Sequence, residues 1–345
     1  MVKEAILLVN IGTPNSPDTA DVKKFITDYL TDPHVITLPR FRRHLLVKGV
    51  IVPFRAPKSA KAYRQLWTEQ GSPLRYYLEA LRIKVQEQLG DKAEVWTAMR
   101  YGHPNIVGVM ADMERQGYDR LTVVPLFPQY TTSTVGTIED KVREEHARWR
   151  RPAQLNIIRH FQFYRPFLEL WSRQIALHQP EKYDRVVFAF HGLPLSHLPA
   201  ACRTAQGHLP CNCLPPAVHE DFFQLPDACY RANCCGFASR VATLAGLEPH
   251  RCVVSFQSRL SKGWIQPYTD RVLEEFAAKK MKVLVAALSF VSDCLETRVE
   301  LDIEIRQRFL ALGGQEFGRV AALNACDEWA KVLSEICRTR ISSTP

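Results

Sequence analysis

The sequence lacks any apolar run near the ~18 residues that a bilayer-spanning helix requires, so no spanning segment is expected. No Gly/Ser-rich linker separates its halves, and neither half repeats the other in sequence. Zinc-finger spacing, an RNA-recognition signature and a basic run of nucleic-acid type are also missing, which sets nucleic acid aside as a partner. The first residues, MVKEAILLVN, carry one lysine and one acid ahead of a short apolar run and lack a small-residue cleavage site. They read as a first strand rather than a signal peptide, and the cytoplasm is the expected compartment.

What is present is an ordinary globular composition: 345 residues, 46% hydrophobic and 23% charged. That length can bury a sizeable core in one large unit or two domains. The net charge of +9 calls for an acidic partner. With nucleic acid set aside, an anionic membrane surface or a carboxylate-bearing ligand remains. Ten cysteines are many for a reducing compartment, where structural disulfides are rare. Cys252, Cys294, Cys326 and Cys337 are scattered and read as small buried residues. Cys202, Cys211, Cys213, Cys229, Cys234 and Cys235 are bunched and need another explanation.

Apolar runs of strand length alternate with helical patterns along the whole chain. Strands are expected at Ala5–Val9, Glu94–Met99, Leu121–Phe127, Leu155–Ile158, Val186–Phe190, Cys252–Phe256, Val283–Leu288 and Arg319–Leu323. Between them lie helical segments, among them one starting at Ser16-Pro17, Leu74–Leu89 stopped by Gly90, Pro166–His178, and a last one over Glu328–Arg338. Strict alternation predicts α/β architecture with parallel sheets flanked by helices, in two lobes with a boundary near Arg159–Arg165. The stretch Arg40–Phe54 is amphipathic and basic. Its apolar side is expected against the core, with contact to membrane or an apolar ligand as the sharper alternative.

Three stretches carry chemistry. In FAFHGLP, His191 stands where an apolar strand ends and a Gly-Pro turn begins, the place where open α/β sheets build their sites. An imidazole there can carry protons at neutral pH or bind a metal. In SFQSRLSKGWIQPYTD, Gln257, Ser258 and Arg259 follow a strand end, and Trp264 adds an aromatic plate. Arg and Ser suit a ligand carboxylate, and Trp a flat apolar ring, although an anchoring loop would use the same residues. In FVSDCLETRVELDIE, Glu296, Glu300 and Glu304 recur every four residues, which on an α-helix stacks three carboxylates on one face. A solvated acidic face is the plain reading of such a row, and a path for a cation the sharper one.

These stretches, with LLVNIGTP at Leu7–Pro14, MRYGHP at Met99–Pro104 and PLFPQYTTSTVG at Pro125–Gly136, resemble ferrochelatases in the same order over nearly the whole length. The resemblance implies two Rossmann-like lobes, residues 1–160 and 161–345, with a porphyrin cleft between them, and insertion of Fe2+ into protoporphyrin IX to give protohaem. It implies that His191 is the histidine at the metal-insertion site and that Glu296 faces it across the macrocycle. Glu300 and Glu304 fall on the acidic line leading away, a route for metal or protons. Ile11, Arg100, Tyr101, Ser258, Trp264 and Phe290 fall at porphyrin-contacting positions. An aliphatic Ile11 resembles the protoporphyrin enzymes more than the coproporphyrin ones. Cys294 departs from members with histidine at that position, which shifts the metal-ligand role to His191 and Glu296.

The six bunched cysteines lie in what looks like an insertion, residues 197–235. It resembles the segment with which some bacterial members hold a [2Fe–2S] cluster, a centre that thiolates provide. Zinc on four of the cysteines is the rival, and which four ligate is left open. Beside the chelatase reading stand a cobalt chelatase of cobalamin synthesis and a tetrapyrrole carrier without turnover. Peripheral contact with a membrane or with neighbouring haem-pathway enzymes is a further expectation.

Overall fold

A computed structural model describes residues 2–198, 229–259 and 263–338. Its contacts divide the chain into two units, residues 1–159 with 324–345, and residues 160–323. The break at Arg159 falls at the start of the expected boundary. The C-terminal stretch differs: expected in the second lobe, it packs in the first.

In the first unit, β1 (Glu4–Gly12) is followed by α1 (Thr19–Leu30) and a long helical stretch. That stretch comprises α2 (Arg40–Leu46), a π-turn (Val47–Ile51) and α3 (Val52–Leu66). Then come α4 (Pro73–Leu89), β2 (Glu94–Tyr101), α5 (Ile106–Gln116), β3 (Arg120–Pro125), α6 (Thr137–His146) and β4 (Gln154–Ile157). The strands form one parallel sheet in the order β2-β1-β3-β4. Leu7, Leu8, Val9, Val123 and Val124 are wholly buried, as strands covered by helices on both faces must be. Helix α1 starts later than Ser16-Pro17 predicts, because the Ser16 hydroxyl accepts the Asp18 N–H in a turn of its own, 3.2 Å. Gly90 ends α4 as expected, at φ 56°, a region that glycine enters without strain.

The second unit repeats the plan. It runs α7 (Arg165–Ala176), β5 (Arg185–His191), α8 (Tyr230–Leu244), β6 (Cys252–Gln257), α9 (Thr269–Ala278) and β7 (Lys282–Ala287). A π-helix (Glu296–Ile305), α10 (Arg306–Ala311) and β8 (Glu316–Arg319) complete it. The parallel order β6-β5-β7-β8 matches that of the first sheet. In both, the chain moves to one side of the first strand and then returns to the other, which creates a switch point at the first strand's carboxyl end. The last strand starts three residues earlier than the expected Arg319–Leu323. Only Phe317 faces its core, and pairing ends at Arg319. The final helix, α11 (Asp327–Arg338), returns to the first unit and lies along α4.

Across α2 and α3, Val47, Val52 and Ala56 face the core, as expected of an amphipathic stretch. Phe41 (79% exposed), Leu45 (64%), Val50 (53%) and Phe54 (81%) do not: they stand in solvent beside Arg40, Arg42 and Lys48. This stretch therefore has a second apolar face that the core does not use.

Candidate active site

Sequence places His191 at the end of β5, and the structure puts that end at the switch point of the second sheet. The Nδ1 atom lies 2.7 Å from the Gly192 carbonyl oxygen. A carbonyl only accepts, so a neutral imidazole carries its proton on Nδ1 and presents Nε2 with a free lone pair. Trp264 and Phe290 flank the ring, with centroids 6.5 Å and 6.2 Å away. Three residues that the sequence places in separate stretches thus meet around one imidazole. Gly192 makes this possible: a Cβ there would come within 2.8 Å of the Gln257 carbonyl oxygen and 3.3 Å of the Trp264 ring.

His191 pairs with Gln257 across the sheet, and Gln257 leads on to the acidic row. Its side-chain amide donates to the Glu296 carbonyl at 3.3 Å and to Glu300 Oε2 at 3.2 Å. Ser258 holds Glu300 with both its N–H (2.9 Å to Oε1) and its hydroxyl (2.5 Å to Oε2). To do so Ser258 adopts φ 63°, a left-handed conformation uncommon for a side-chain-bearing residue and frequent at functional sites. Burial, reinforced by the charge of Glu296, pushes the Glu300 carboxyl up to about 7, although the Ser258 and Gln257 donors pull the other way. Glu300 therefore exchanges a proton near neutral pH.

The acids do not lie on an α-helix. Glu296–Ile305 is wound as a ten-residue π-helix, so a four-residue spacing no longer sets the carboxylates in α-helical register. Their surroundings differ too: Glu296 and Glu300 are partly buried and Glu304 is exposed. Among the described residues, no three His, Cys, Asp or Glu groups converge closely enough to hold a metal ion. This applies to the expected metal residues His191, Glu296, Glu300 and Glu304. Cys294 is buried, and burial followed by the neighbouring Glu296 pushes its thiol well above the usual range. It stands as a protonated thiol. Arg259, a candidate for a ligand carboxylate, is paired with Asp270 at 2.6 Å and stacked on Tyr268.

In the first unit, Arg100 and Tyr101 end β2 and converge on one buried residue that sequence reasoning missed. Asp32 Oδ2 accepts from the Arg100 guanidinium (2.6 Å), the Tyr101 hydroxyl (2.8 Å) and the Thr137 hydroxyl (2.8 Å). Its Oδ1 accepts the His34 N–H at 2.8 Å. Burial alone would raise the Asp32 carboxyl, but these donors and the Arg100 charge outweigh it and hold it below the ordinary value. Tyr101, by contrast, is pushed far up by burial and stays a phenol. The signal for Asp32 in the sequence is faint, one acid in a turn after α1. Beside this network opens a cavity of about 410 Å³, whose walls include Asp21, Lys24, Phe25, Asp28, Arg100 and Tyr101. Ile11 lies one residue before the end of β1 in the same unit and is partly exposed.

Of the bunched cysteines, Cys202, Cys211 and Cys213 lie outside the described residues. Cys229 precedes α8, and Cys234 and Cys235 sit in its first turns, so the expected insertion ends inside a helix. All three are buried and free of disulfides. Burial first, then the neighbouring charges of Cys235 and Cys229, push the Cys234 thiol well up.

The ferrochelatase family profile matches residues 3–341. A ferrochelatase of Legionella pneumophila (strain Philadelphia 1) is 36% identical over 339 residues, spanning 97% of this chain and 98% of that protein. The ferrochelatase of Azotobacter vinelandii is 37% identical over 344 residues, spanning 98% and 99%. Among solved structures, SirB from Bacillus subtilis with Fe3+ superposes with a TM-score of 0.56 at 10% identity, over 97% of this chain and 95% of that one. Sirohydrochlorin chelatase SirB from Bacillus subtilis subspecies spizizenii, in complex with cobalt, gives 0.53 at 10% identity, over 96% and 94%. At such identity these two speak for the fold alone, which is that of chelatases built from two Rossmann-like lobes. The chain belongs to the ferrochelatase family, lyases that insert Fe2+ into a porphyrin at the last step of haem biosynthesis.

Proposed function

We propose that this chain inserts Fe2+ into protoporphyrin IX and that His191 Nε2 receives the pyrrole protons one at a time, releasing the first before it takes the second. The balance is simple: the porphyrin loses two N–H protons, and Fe2+, a substrate that accepts imidazole and carboxylate ligands, gains four ring nitrogens. The observation that carries the reading is the imidazole itself, with its proton fixed on Nδ1 by the Gly192 carbonyl and the rings of Trp264 and Phe290 beside it. Aromatic faces suit a flat macrocycle. Gln257 links that position to Glu296 and Glu300, and a carboxyl exchanging near pH 7 suits proton export better than metal holding. Glu296 then serves the incoming metal, and Glu304 is the outermost, solvent-facing acid. Ile11, Arg100, Tyr101, Ser258, Trp264 and Phe290 are assigned to porphyrin contact; for Ser258, the Glu300 clamp is the better supported role.

The test is anaerobic insertion with purified chain, protoporphyrin IX and Fe2+ or Co2+. Haem forming faster than in a protein-free blank supports the chelatase, and porphyrin binding without insertion supports a carrier instead. His191→Ala is expected to lose about 100-fold or more in rate with its fold intact. A rate near that of the parent would remove His191 from the chemistry.

Two finer assignments belong to the same reading. A [2Fe–2S] cluster would need thiolates from Cys202, Cys211 or Cys213, because Cys229, Cys234 and Cys235 alone do not form a metal-holding group. Its support is donor chemistry and bunching. Anaerobically purified protein that is colourless and free of iron and sulfide would remove it. The cytoplasm with peripheral membrane contact is the assigned location. No helix among the described residues is long and apolar enough to cross a membrane, and the exposed Phe41, Leu45, Val50 and Phe54 amid arginines and lysines suit an anionic lipid surface. Phe41→Glu with Phe54→Glu should abolish co-sedimentation with phosphatidylglycerol vesicles; unchanged co-sedimentation would refute the contact.

A further inference from the structure

The ladder between β5 and β7 ends one step before His191. The Leu288 N–H donates to the Ala189 carbonyl at 3.0 Å, and after that the chain leaving β7 turns away. His191, two residues on, presents its own N–H and C=O to the same side. Side chains complete the ladder there. The His191 N–H donates to Ser289 Oγ at 3.2 Å, and the Tyr230 hydroxyl donates to the His191 carbonyl at 2.9 Å. The two hydroxyl oxygens are 3.2 Å apart. One consistent arrangement sends the Tyr230 proton to the carbonyl, the Ser289 proton to the Tyr230 oxygen and the backbone N–H to Ser289, with the Cys234 thiol as a further neighbour of the Tyr230 hydroxyl.

This ring fixes both peptide planes that flank His191. The plane after it is held on its other side by the Gly192 N–H, which donates to the Gln257 carbonyl at 2.8 Å. The Gly192 carbonyl then stands where Nδ1 reaches it, and that bond sets the tautomer. Tyr230 is the first residue of α8, 7% exposed, and no reading of the reaction assigns it a part.

We propose that Tyr230 is a positioning residue for metal insertion: with Ser289 it holds the backbone of His191 so that the imidazole keeps its proton on Nδ1 and offers Nε2. This rests on the reading of His191 as the proton acceptor. Tyr230→Phe removes one hydroxyl and keeps the ring that fills the site. In the full chain under anaerobic conditions, its kcat for Fe2+ insertion into protoporphyrin IX falls about tenfold to a hundredfold, while KM for porphyrin stays within about twofold. In the same variant, the histidine side-chain 1H–15N spectrum shows the single Nδ1–H form of His191 giving way to a mixture of tautomers. A parental kcat, or a reduced kcat with an unchanged His191 signature, overturns the proposal. If Tyr230→Phe fails to fold, Ser289→Ala removes the other half of the ring and is judged by the same two readouts. The underlying reading fails separately: His191→Ala at the parental rate removes the acceptor role. An inactive His191→Ala beside a fully active Tyr230→Phe removes only the part given to Tyr230.

Discussion

Replacing Glu300 with glutamine tests the acidic row most directly, because burial beside Glu296 sets the sign of the effect. The Glu300 carboxyl rises from an ordinary 4.5 to about 7, mainly through burial and then through Glu296. The folded chain therefore binds this proton more tightly than the unfolded chain does. Its stabilising contribution is complete below about pH 4.5, declines as pH rises, and is gone above about pH 7. A shift of that size corresponds to about 3 kcal/mol across the window. Glutamine cannot ionise, yet it matches the site. Its carbonyl accepts the Ser258 N–H and its amide donates to the Ser258 hydroxyl, and a flip of the Gln257 amide puts Oε1 in place of the donor that now meets Glu300 Oε2. Urea unfolding of the parent between pH 5 and 8 should show stability falling with pH by an amount of this order, with a flatter profile in Glu300→Gln. The variant should also insert iron at least about tenfold more slowly at pH 7.5, since it cannot pass a proton. Equal pH slopes in the two proteins would refute the elevated carboxyl, and with it the proton-export role.

Three further outcomes follow from the geometry. Asp32→Ala leaves the Arg100 guanidinium without its carboxylate and should cost roughly 3–5 kcal/mol in the melting of the first unit. Asp32→Asn should cost less. Because Asp32 is held below its ordinary 3.8, its contribution is present above about pH 4 and lost on acidification, opposite in sign to Glu300. Gly192→Ala drives a Cβ against the Gln257 carbonyl and the Trp264 ring. It should cost about 1–3 kcal/mol by thermal melting and lower kcat more than KM. Cys294→Ala removes a buried, protonated thiol and should leave the insertion rate within about twofold, since a thiol in that state is a poor metal ligand.

The central strands β1, β5 and β7 were legible because each is a short apolar run buried on both faces, whereas the edge strand β8 buries only Phe317 and was placed too late. His191 was legible as a candidate because it ends an apolar strand; Trp264 was a loop residue with an equally good anchoring role and Phe290 came from the resemblance, and the structure sets both rings beside the imidazole. The winding of Glu296–Ile305 was not: a π-helix and an α-helix draw on the same residue types, and the choice depends on tertiary hydrogen bonds such as those from Gln257 and Ser258. Asp32 and Tyr230 were missed for a related reason. Each acts through a partner more than thirty positions away, Asp32 through Arg100 and Tyr230 through His191, and a local pattern carries no trace of that. The outer face of Arg40–Phe54 was misjudged because amphipathicity shows that a helix has an apolar side but not how many surfaces claim it.

The return of α11 to the first unit has a consequence for how the chain is made. Trp329, Leu333 and Ile336 are fully buried, Asp327 pairs with Lys84, and Arg338 donates to the Gln88 carbonyl. The helix that covers α4 is thus made only after the whole second unit. Until it emerges, α4 has no cover from this segment, and the first unit waits with an open flank while the whole second unit is synthesised. A chain released before residue 327 would keep its complete second unit and both halves of the repeated strand order, yet lack the piece that finishes the first. Loss of this segment would therefore strip the cover from the first unit, far away in sequence, and leave the second unit's own strands untouched.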